Sequence, residues 1–455
     1  MARTAKKETA LTPEEKLAEA LVPEGEQPYQ VPDNWCWVTH NSILDISGGA
    51  QPDKSHFISE QRDGYTQLYQ TRDYGEHPVP VYIPDRYATK TTDAGDILLA
   101  RYGGSLGKVF RARKGAYNVA LAKVIRLYPS IMNNEFLYQY YLSHFYQEFC
   151  IKAASGRSAQ AGFNRDDMEE LLFPLPPLAE QQRIVDRIES LFAKLDEAKE
   201  KAQAVVDGFE DRKAAILHKA FTGELTEAQR EERGVCLDSW EPVTLKDIVS
   251  GFKYGTSEKS DYLFTGMPVL RIPNIGDDGI DFTDIKNLSS ETVEAANQIH
   301  ENDILIIRSN GSRDLVGKCA LVPQLDQEYA YASFLIRIKP SERVRAEYLV
   351  LFLNSADARA QMFAKAKSSA GINNINSKEL GAILLKLPEL WEQEEITRQV
   401  SKLLLLENQA KEAAEQVIDQ IDTMKKAILA RAFRGELGTN DPADESAEEM
   451  LKRVL

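Results

Sequence analysis

The sequence predicts an α/β protein made of two similar halves, each a β-rich domain followed by a long helix, with the two helices paired along an apolar seam. Three observations predict it. KAAILHKAFTGEL (213–225) returns as KKAILARAFRGEL (425–437), identical at nine of thirteen positions after a shift of 212. Upstream of each copy, apolar residues recur every three to four positions, the period of a helix with one buried stripe. Between the helical stretches lie short β-rich runs punctuated by glycine and proline. A shift of 212 is too long for a solenoid repeat and indicates a duplicated half-molecule, a pseudo-two-fold internal repeat.

Residues 1–33 form an extension in which Thr12-Pro13-Glu14-Glu15 has the form of a helix-opening capping box. In the first domain, 34–174, the runs VPVYI, DILLA and VALAKVIRLY suit strands. EFLYQYYLSHF suits a helix there, and SGRSAQAGFNR (155–165) a polar loop. The first helical spacer, 175–225, opens after Pro176-Pro177. Its seam runs Ile184, Ile188, Leu191, Leu195, Ala198, Ala202, Val205, Phe209 and Ile216, with Arg212 filling one slot. Gly223 suits the C-terminal cap, where a positive φ is wanted. The second domain, 226–386, repeats the plan with PVLRI, DILIIR, ASFLIRIK, the helical EYLVLFLNSAD and the loop SSAGINNINSK (368–378). The second spacer, 387–437, has the seam Ile396, Val400, Leu403, Glu407, Ala410, Ala414, Val417, Ile421, Met424 and Ile428. Residues 438–455 form an acidic tail. About 43 residues at ~1.5 Å each make a rod of roughly 65 Å, whose stripe needs a partner. The other copy is the simplest one, and a coiled coil between separate chains is the alternative.

Composition bounds the function. The four cysteines lie far apart without a CxxC pair, which points to a reducing compartment with neither structural zinc nor a disulfide framework. The N-terminal stretch lacks the apolar region of a secretory signal, and no run could span a membrane, so a cytoplasmic protein is expected. The net charge of −15 opposes polyanion binding only on average, because the charge is segregated. Residues 101–126 hold seven Lys/Arg and no acid, and residues 359–378 hold four and no acid.

Catalytic signatures are missing. Gly311-Ser-Arg-Asp-Leu-Val-Gly317-Lys318-Cys319 imitates a phosphate loop, but it has five residues between its glycines and Cys after the Lys. The six histidines are scattered, and neither a GxSxG elbow nor the Asn-Pro-Pro-aromatic motif of an adenine methyltransferase is present. No catalytic residue and no metal ligand is therefore expected. What remains is basic and amide-rich loops at strand ends. Arg reads guanine in bidentate fashion, Asn and Gln read adenine, and glycine lets backbone approach phosphate. The residues singled out for DNA contact are Lys54, Arg101, Tyr102, Ser105, Lys108, Arg111, Arg113, Arg157 and Asn164 in the first domain. In the second they are Lys259, Arg308, Asn310, Ser312, Arg313, Lys318, Lys367, Asn373 and Asn374.

The whole pattern resembles the specificity subunit of type I restriction–modification systems. The resemblance rests on PLPPLAEQQRIV with its helix ending ILHKAFTGELT, on LPELWEQEEI with its helix ending ILARAFRGELG, and on a Trp-opened domain before each, NWCWVTHNSIL and SWEPVTLKDIV. It implies two target-recognition domains separated by an antiparallel helix pair, each reading one half of a bipartite site in double-stranded DNA. It implies two modification subunits that carry S-adenosylmethionine and methylate adenine N6, and up to two restriction subunits that use ATP and magnesium. This chain itself would bind no cofactor. The extension and the tail fall outside the motifs and are expected to contact the modification subunits. A free-standing DNA-binding or architectural protein, or a coiled-coil scaffold for proteins alone, are the rival readings.

Overall fold

The computed structural model describes residues 12–155, 162–277, 279–291, 293–365, 367–369 and 372–455. It divides into two units, 1–201 with 417–455, and 202–416.

In the first unit, Leu44–Gly48, Leu121–Arg126, Ile97–Ala100 and Val109–Arg111 form an antiparallel sheet in that order. A second, mixed sheet joins Tyr82–Pro84, Tyr65–Tyr69, Gly115–Tyr117 and Thr91–Thr92. Cys36–Thr39 pairs with Leu172–Leu175, so the strand entering the domain is tied to the strand leaving it. The helices Asn134–Leu142 and His144–Ser155 bury Phe136, Leu137, Tyr140, Tyr141 and Tyr146 against the first sheet. The second unit repeats this plan. Val249–Tyr254, Leu335–Pro340, Ile304–Ile307 and Cys319–Leu321 form its four-stranded antiparallel sheet, and Glu241–Thr244 pairs with Leu384–Leu387. Both sheets were legible because DILLA and DILIIR alternate poorly: a strand covered on both faces is apolar throughout, and Ile97–Ala100 and Ile304–Ile307 are buried at every position.

The expected helices are present, with one correction. The first is interrupted at one residue: it runs Leu178–Asp207 and Phe209–Thr222, with the bonds from Gly208 N–H to Ala204 and from Arg212 N–H to Gly208, both 3.1 Å, carrying the helical path across Gly208. Glycine is the weakest helix former short of proline, and Arg212 turns its Nη2 back onto the Val205 carbonyl at 2.8 Å across that residue. The second helix runs unbroken for 43 residues, Leu390–Ala432. The helices pair within the chain and antiparallel. In the first unit Asp196 meets Lys425 at 2.5 Å and Lys199 approaches Asp422 at 3.9 Å, so rising numbers on one helix meet falling numbers on the other. In the second unit the two polar slots of the seams find each other, Arg212 Nε lying 2.7 Å from Glu407 Oε2.

The seam is buried at its ends and, between them, at Ala202, Phe209, Ala414 and Ile421. Ile184 and Ile188 enter the core of the first unit, Ile396 and Val400 that of the second. Val417 and Met424, expected inside, are 42% and 45% exposed. Two helices cannot enclose a stripe as wide as the one written here, so its flanks face solvent. Gly223 and Gly435 adopt φ of +85° and +73°, as the helix endings require.

The tail departs from its expected place outside the core pattern. Ser446 caps a helix, Ala447–Lys452, whose Ala447, Met450 and Leu451 are buried in the first unit's core, a core they share with Leu17 and Ala20 of the capped helix Pro13–Ala20. Extension and tail are parts of one domain, and acidic composition concealed an amphipathic turn.

His40 is fully buried in the first unit, with Nε2 2.7 Å from the Tyr141 hydroxyl. Burial pushes its pKa down from 6.5 to about 4. The unfolded chain takes up this proton below pH 6.5 and the folded one only near pH 4, so stability present above 6.5 is lost as the pH falls through that window. In urea titrations, the stability difference between the parent and His40→Asn should narrow by about 3 kcal/mol between pH 7 and pH 4.

Candidate nucleic-acid interface

In the four-stranded antiparallel sheet of each unit one strand runs into an arginine, and the two arginines are held alike. Arg101 follows Ile97–Ala100, and its backbone N–H donates to Ala120 at 3.0 Å; Arg308 follows Ile304–Ile307 and donates to Phe334 at 2.9 Å. Their carbonyls accept from Phe163 at 3.3 Å and from Ile375 at 2.9 Å, which docks the two polar loops in corresponding places. The guanidinium of Arg101 donates through Nε to the Val119 carbonyl at 3.0 Å, and Nη1 of Arg308 reaches the Ser333 carbonyl at 3.5 Å. An aromatic ring lies against each, Tyr102 at 4.7 Å and Tyr254 at 4.6 Å. Gly48 makes room for the first, since a Cβ there would stand 2.9 Å from Arg101 Nη2.

Around Arg308 the structure assembles a small polar ribbon. Ser309–Asn310, Ile372–Asn374 and Lys367–Ser369 form three antiparallel strands, with Asn310 opposite Asn373, and Asn374 opposite both Ser309 and Lys367. Asn374 Oδ1 accepts from Arg308 Nη2 at 3.4 Å, and Asn373 Nδ2 donates to the Gly311 carbonyl at 3.3 Å. Asn310 turns its amide oxygen onto the backbone N–H of the exposed Ser312 at 2.8 Å. Arg313 is exposed, with its guanidinium 5.2 Å from the Phe363 ring. In the first unit Tyr102 bridges Gly162 in the corresponding position, Ser105 closes the turn after it, and Lys108 stands exposed beyond. This is a surface of amide, hydroxyl and guanidinium groups on strand ends, suited to hydrogen-bonding base edges.

Several singled-out residues lie elsewhere. Arg111 is opposite Ile97, at the start of the strand that Arg101 ends, about 13 Å away at ~3.3 Å per residue. Its guanidinium pairs with Glu135 and covers the Tyr138 ring at 4.0 Å. Arg113 lies one turn further and faces Tyr74 at 5.6 Å. Lys318 forms an ion pair of 2.8 Å with Asp277, whose carboxyl it holds below the usual range. Asn164 spends its side chain capping a turn, accepting from Asp166 and Asp167. The stretch 101–126 lacks acid in sequence, but the fold brings Glu135 to Arg111 and Asp96 to Lys123 at 2.6 Å. Linear charge cannot foresee partners from other segments. Lys54 and Lys259 are exposed, on a short turn and ahead of the strand Ser260–Asp261. Arg157 lies outside the described residues. Tyr254, Ser333 and Phe334 were missed; their signal was their position at the end of, or just before, strands that recur in both halves.

The repeated motifs at the helix starts hold the frame. Trp35 Nε1 donates to Glu180 at 2.7 Å and Trp240 Nε1 to Glu392 at 2.8 Å, all four side chains being buried. Gln181 bonds the carbonyls of Ile131 and Pro176, and Gln393 those of Arg343 and Pro388. The Glu-Gln pair and the opening Trp are thus one device in each unit.

The family model for the type I restriction modification DNA specificity domain matches residues 32–206 and 238–416. The chain is 25% identical over 425 residues to the type I restriction enzyme EcoKI specificity subunit of Escherichia coli K12, covering 90% of each. It is 24% identical to the StySPI specificity subunit of Salmonella potsdam, again over 90% of each chain. The fold is similar to that of the HsdS subunit from Thermoanaerobacter tengcongensis, with a TM-score of 0.62, 19% identity, and coverage of 90% of this chain and 99% of that one. A chain solved in work on complex assembly and conformational transition of the type I R-M system gives a TM-score of 0.64 at 20% identity, covering 90% and 100%.

Proposed function

The chain belongs to the type I restriction modification DNA specificity family, and from that premise we propose that each unit reads one half of a bipartite DNA site through the strand-end surface around Arg101 or Arg308. The observation that carries the reading is the shared frame: the same backbone bonds fix an arginine and a polar loop together in both units, while the loop contents differ. A conserved scaffold with unlike loops suits two unlike half-sites.

The chain supplies the address and leaves the chemistry to partners. Two modification subunits bring S-adenosylmethionine and transfer its methyl group to adenine N6, and up to two restriction subunits bring ATP and magnesium. Flipping the adenine costs a few kcal/mol, which groove contacts help offset. The complex should therefore be tested whole, with its methylated adenines mapped in DNA from cells that carry the system. Arg101→Ala and Arg308→Ala should each weaken binding to one half-site by about 1–3 kcal/mol, read by fluorescence anisotropy on duplexes mutated in one half at a time. A loss shared by all sequences would assign the arginines to phosphate. Methylation confined to unrelated, non-bipartite sequences would overturn the reading.

A further inference from the structure

One difference between the two frames lies beside the strand-end arginine. Where the first unit has Ala120 accepting the backbone bond of its strand-end arginine, the second has Phe334. Phe334 is 56% exposed, although the neighbouring Leu335 and Ile336 are completely buried. A phenyl ring left in water beside an amide-rich ribbon has no role in the core. Its surroundings are positive and polar: Arg308 touches Tyr254, the Ser333 carbonyl and Asn374, and its Nε is buried without a hydrogen-bond partner among the described residues. Tyr254 is itself 38% exposed, and its hydroxyl is bonded to Ser377, which fixes the ring under the guanidinium.

We propose that Phe334 is a specificity-determining residue that packs against the 5-methyl group of a thymine in the half-site read by the second unit, next to the base read by Arg308. The inference rests on the functional reading above and deepens it. Phenyl carries no donor or acceptor, so it cannot read the hydrogen-bonding edge of any base. The thymine methyl is the one apolar group that the major groove offers, and aromatic or small apolar side chains are its usual partners. Arg308 is bonded backbone to backbone to Phe334, and each of its Nη groups keeps a hydrogen beyond the bonds to Ser333 and Asn374, so an adjoining guanine or phosphate can be bonded while the ring covers the methyl. Ala120 leaves the first unit without this contact.

Deoxyuridine removes the methyl and nothing else. The experiment uses the complete complex with its modification subunits and the mapped duplex, with each thymine of the second unit's half-site replaced in turn by deoxyuridine. One replacement should lower the affinity of the parent about fourfold, the factor that corresponds to burying one methyl group at ~0.8 kcal/mol. Phe334→Ala should bind the unsubstituted duplex more weakly by at least the same factor and should no longer distinguish thymine from deoxyuridine there. The ring is exposed, so the variant keeps its fold, and the first half-site should be unaffected. If the parent is indifferent to every replacement, or if Phe334→Ala preserves the thymine preference, the proposal is wrong and the functional reading stands. A uniform loss on all duplexes would make Phe334 a non-specific wedge and also overturn it. A parent complex with no sequence-specific binding would overturn both.

Discussion

Arg230→Met is expected to destabilise the second unit by about 3–5 kcal/mol, the usual result of removing one partner from a buried ion pair. Arg230 Nη1 lies 2.6 Å from Glu392 Oε1, with side-chain exposures of 6% and 1%. Glu392 also accepts from Thr226 at 2.7 Å and from Trp240 at 2.8 Å, while Arg230 Nη2 donates to the Gly223 carbonyl at 2.5 Å, at the C-terminal cap of the helix Phe209–Thr222. The variant therefore leaves a carboxylate in the core with two neutral donors, and frees the carbonyl that closes the cap. The cause is testable: Arg230→Met with Glu392→Gln removes the orphaned charge but keeps an oxygen for Trp240, and should recover most of the loss. Urea denaturation followed by hydrogen exchange, with residues 202–416 reported separately, makes the check. Equal stability of the single and double variants would assign the loss to packing instead.

Ending the chain at Gly438 is expected to have an effect at least as large, on the other unit. The carboxylate of Glu180 is the counterpart of Glu392, but its remaining donors come from the tail: Thr439 Oγ1 at 3.1 Å and Asn440 Nδ2 at 2.9 Å, with Asp444 pairing to Arg183 at 2.5 Å. Truncation removes these and exposes the cavity left by Met450 and Leu451, at about 1.5–3 kcal/mol for each large apolar side chain. The two side chains alone amount to about 3–6 kcal/mol by that reckoning, and with the bonds lost at Glu180 and Arg183 the total is enough to unfold a domain of ordinary stability. Limited proteolysis should then cut within residues 12–201 and spare 202–416. A truncated chain as resistant as the full one would show that the tail merely rests on the surface.

The two clasps show where sequence reading succeeds and where it stops. Trp35 and Trp240, and the paired Glu-Gln at the helix starts, were all visible as repeated letters. That each Trp donates to each Glu was not, since the partners are separated by 145 and 152 residues. The same limit applies to the residues singled out for DNA contact. Arg101 and Arg308 were legible because they follow apolar strand runs, and strand ends are where loops gather. Arg111 and Lys318 look equivalent to them in a string of letters, yet Glu135 and Asp277 occupy them in the fold.

By itself the sequence determined the duplication, the β-rich halves, and the helical spacers with their endings. These depend on local periodicity, on turn chemistry and on comparison of the chain with itself, all of which act over a few residues at a time. Tertiary structure alone decided the rest: the residues at which the two helices meet, the return of the acidic tail into the first unit, and which cations are paired by acids from other segments. Each of these is a choice between partners remote in the chain. Their energies come from burial and from charges meeting in a dry interior, and neither quantity exists until the chain has folded.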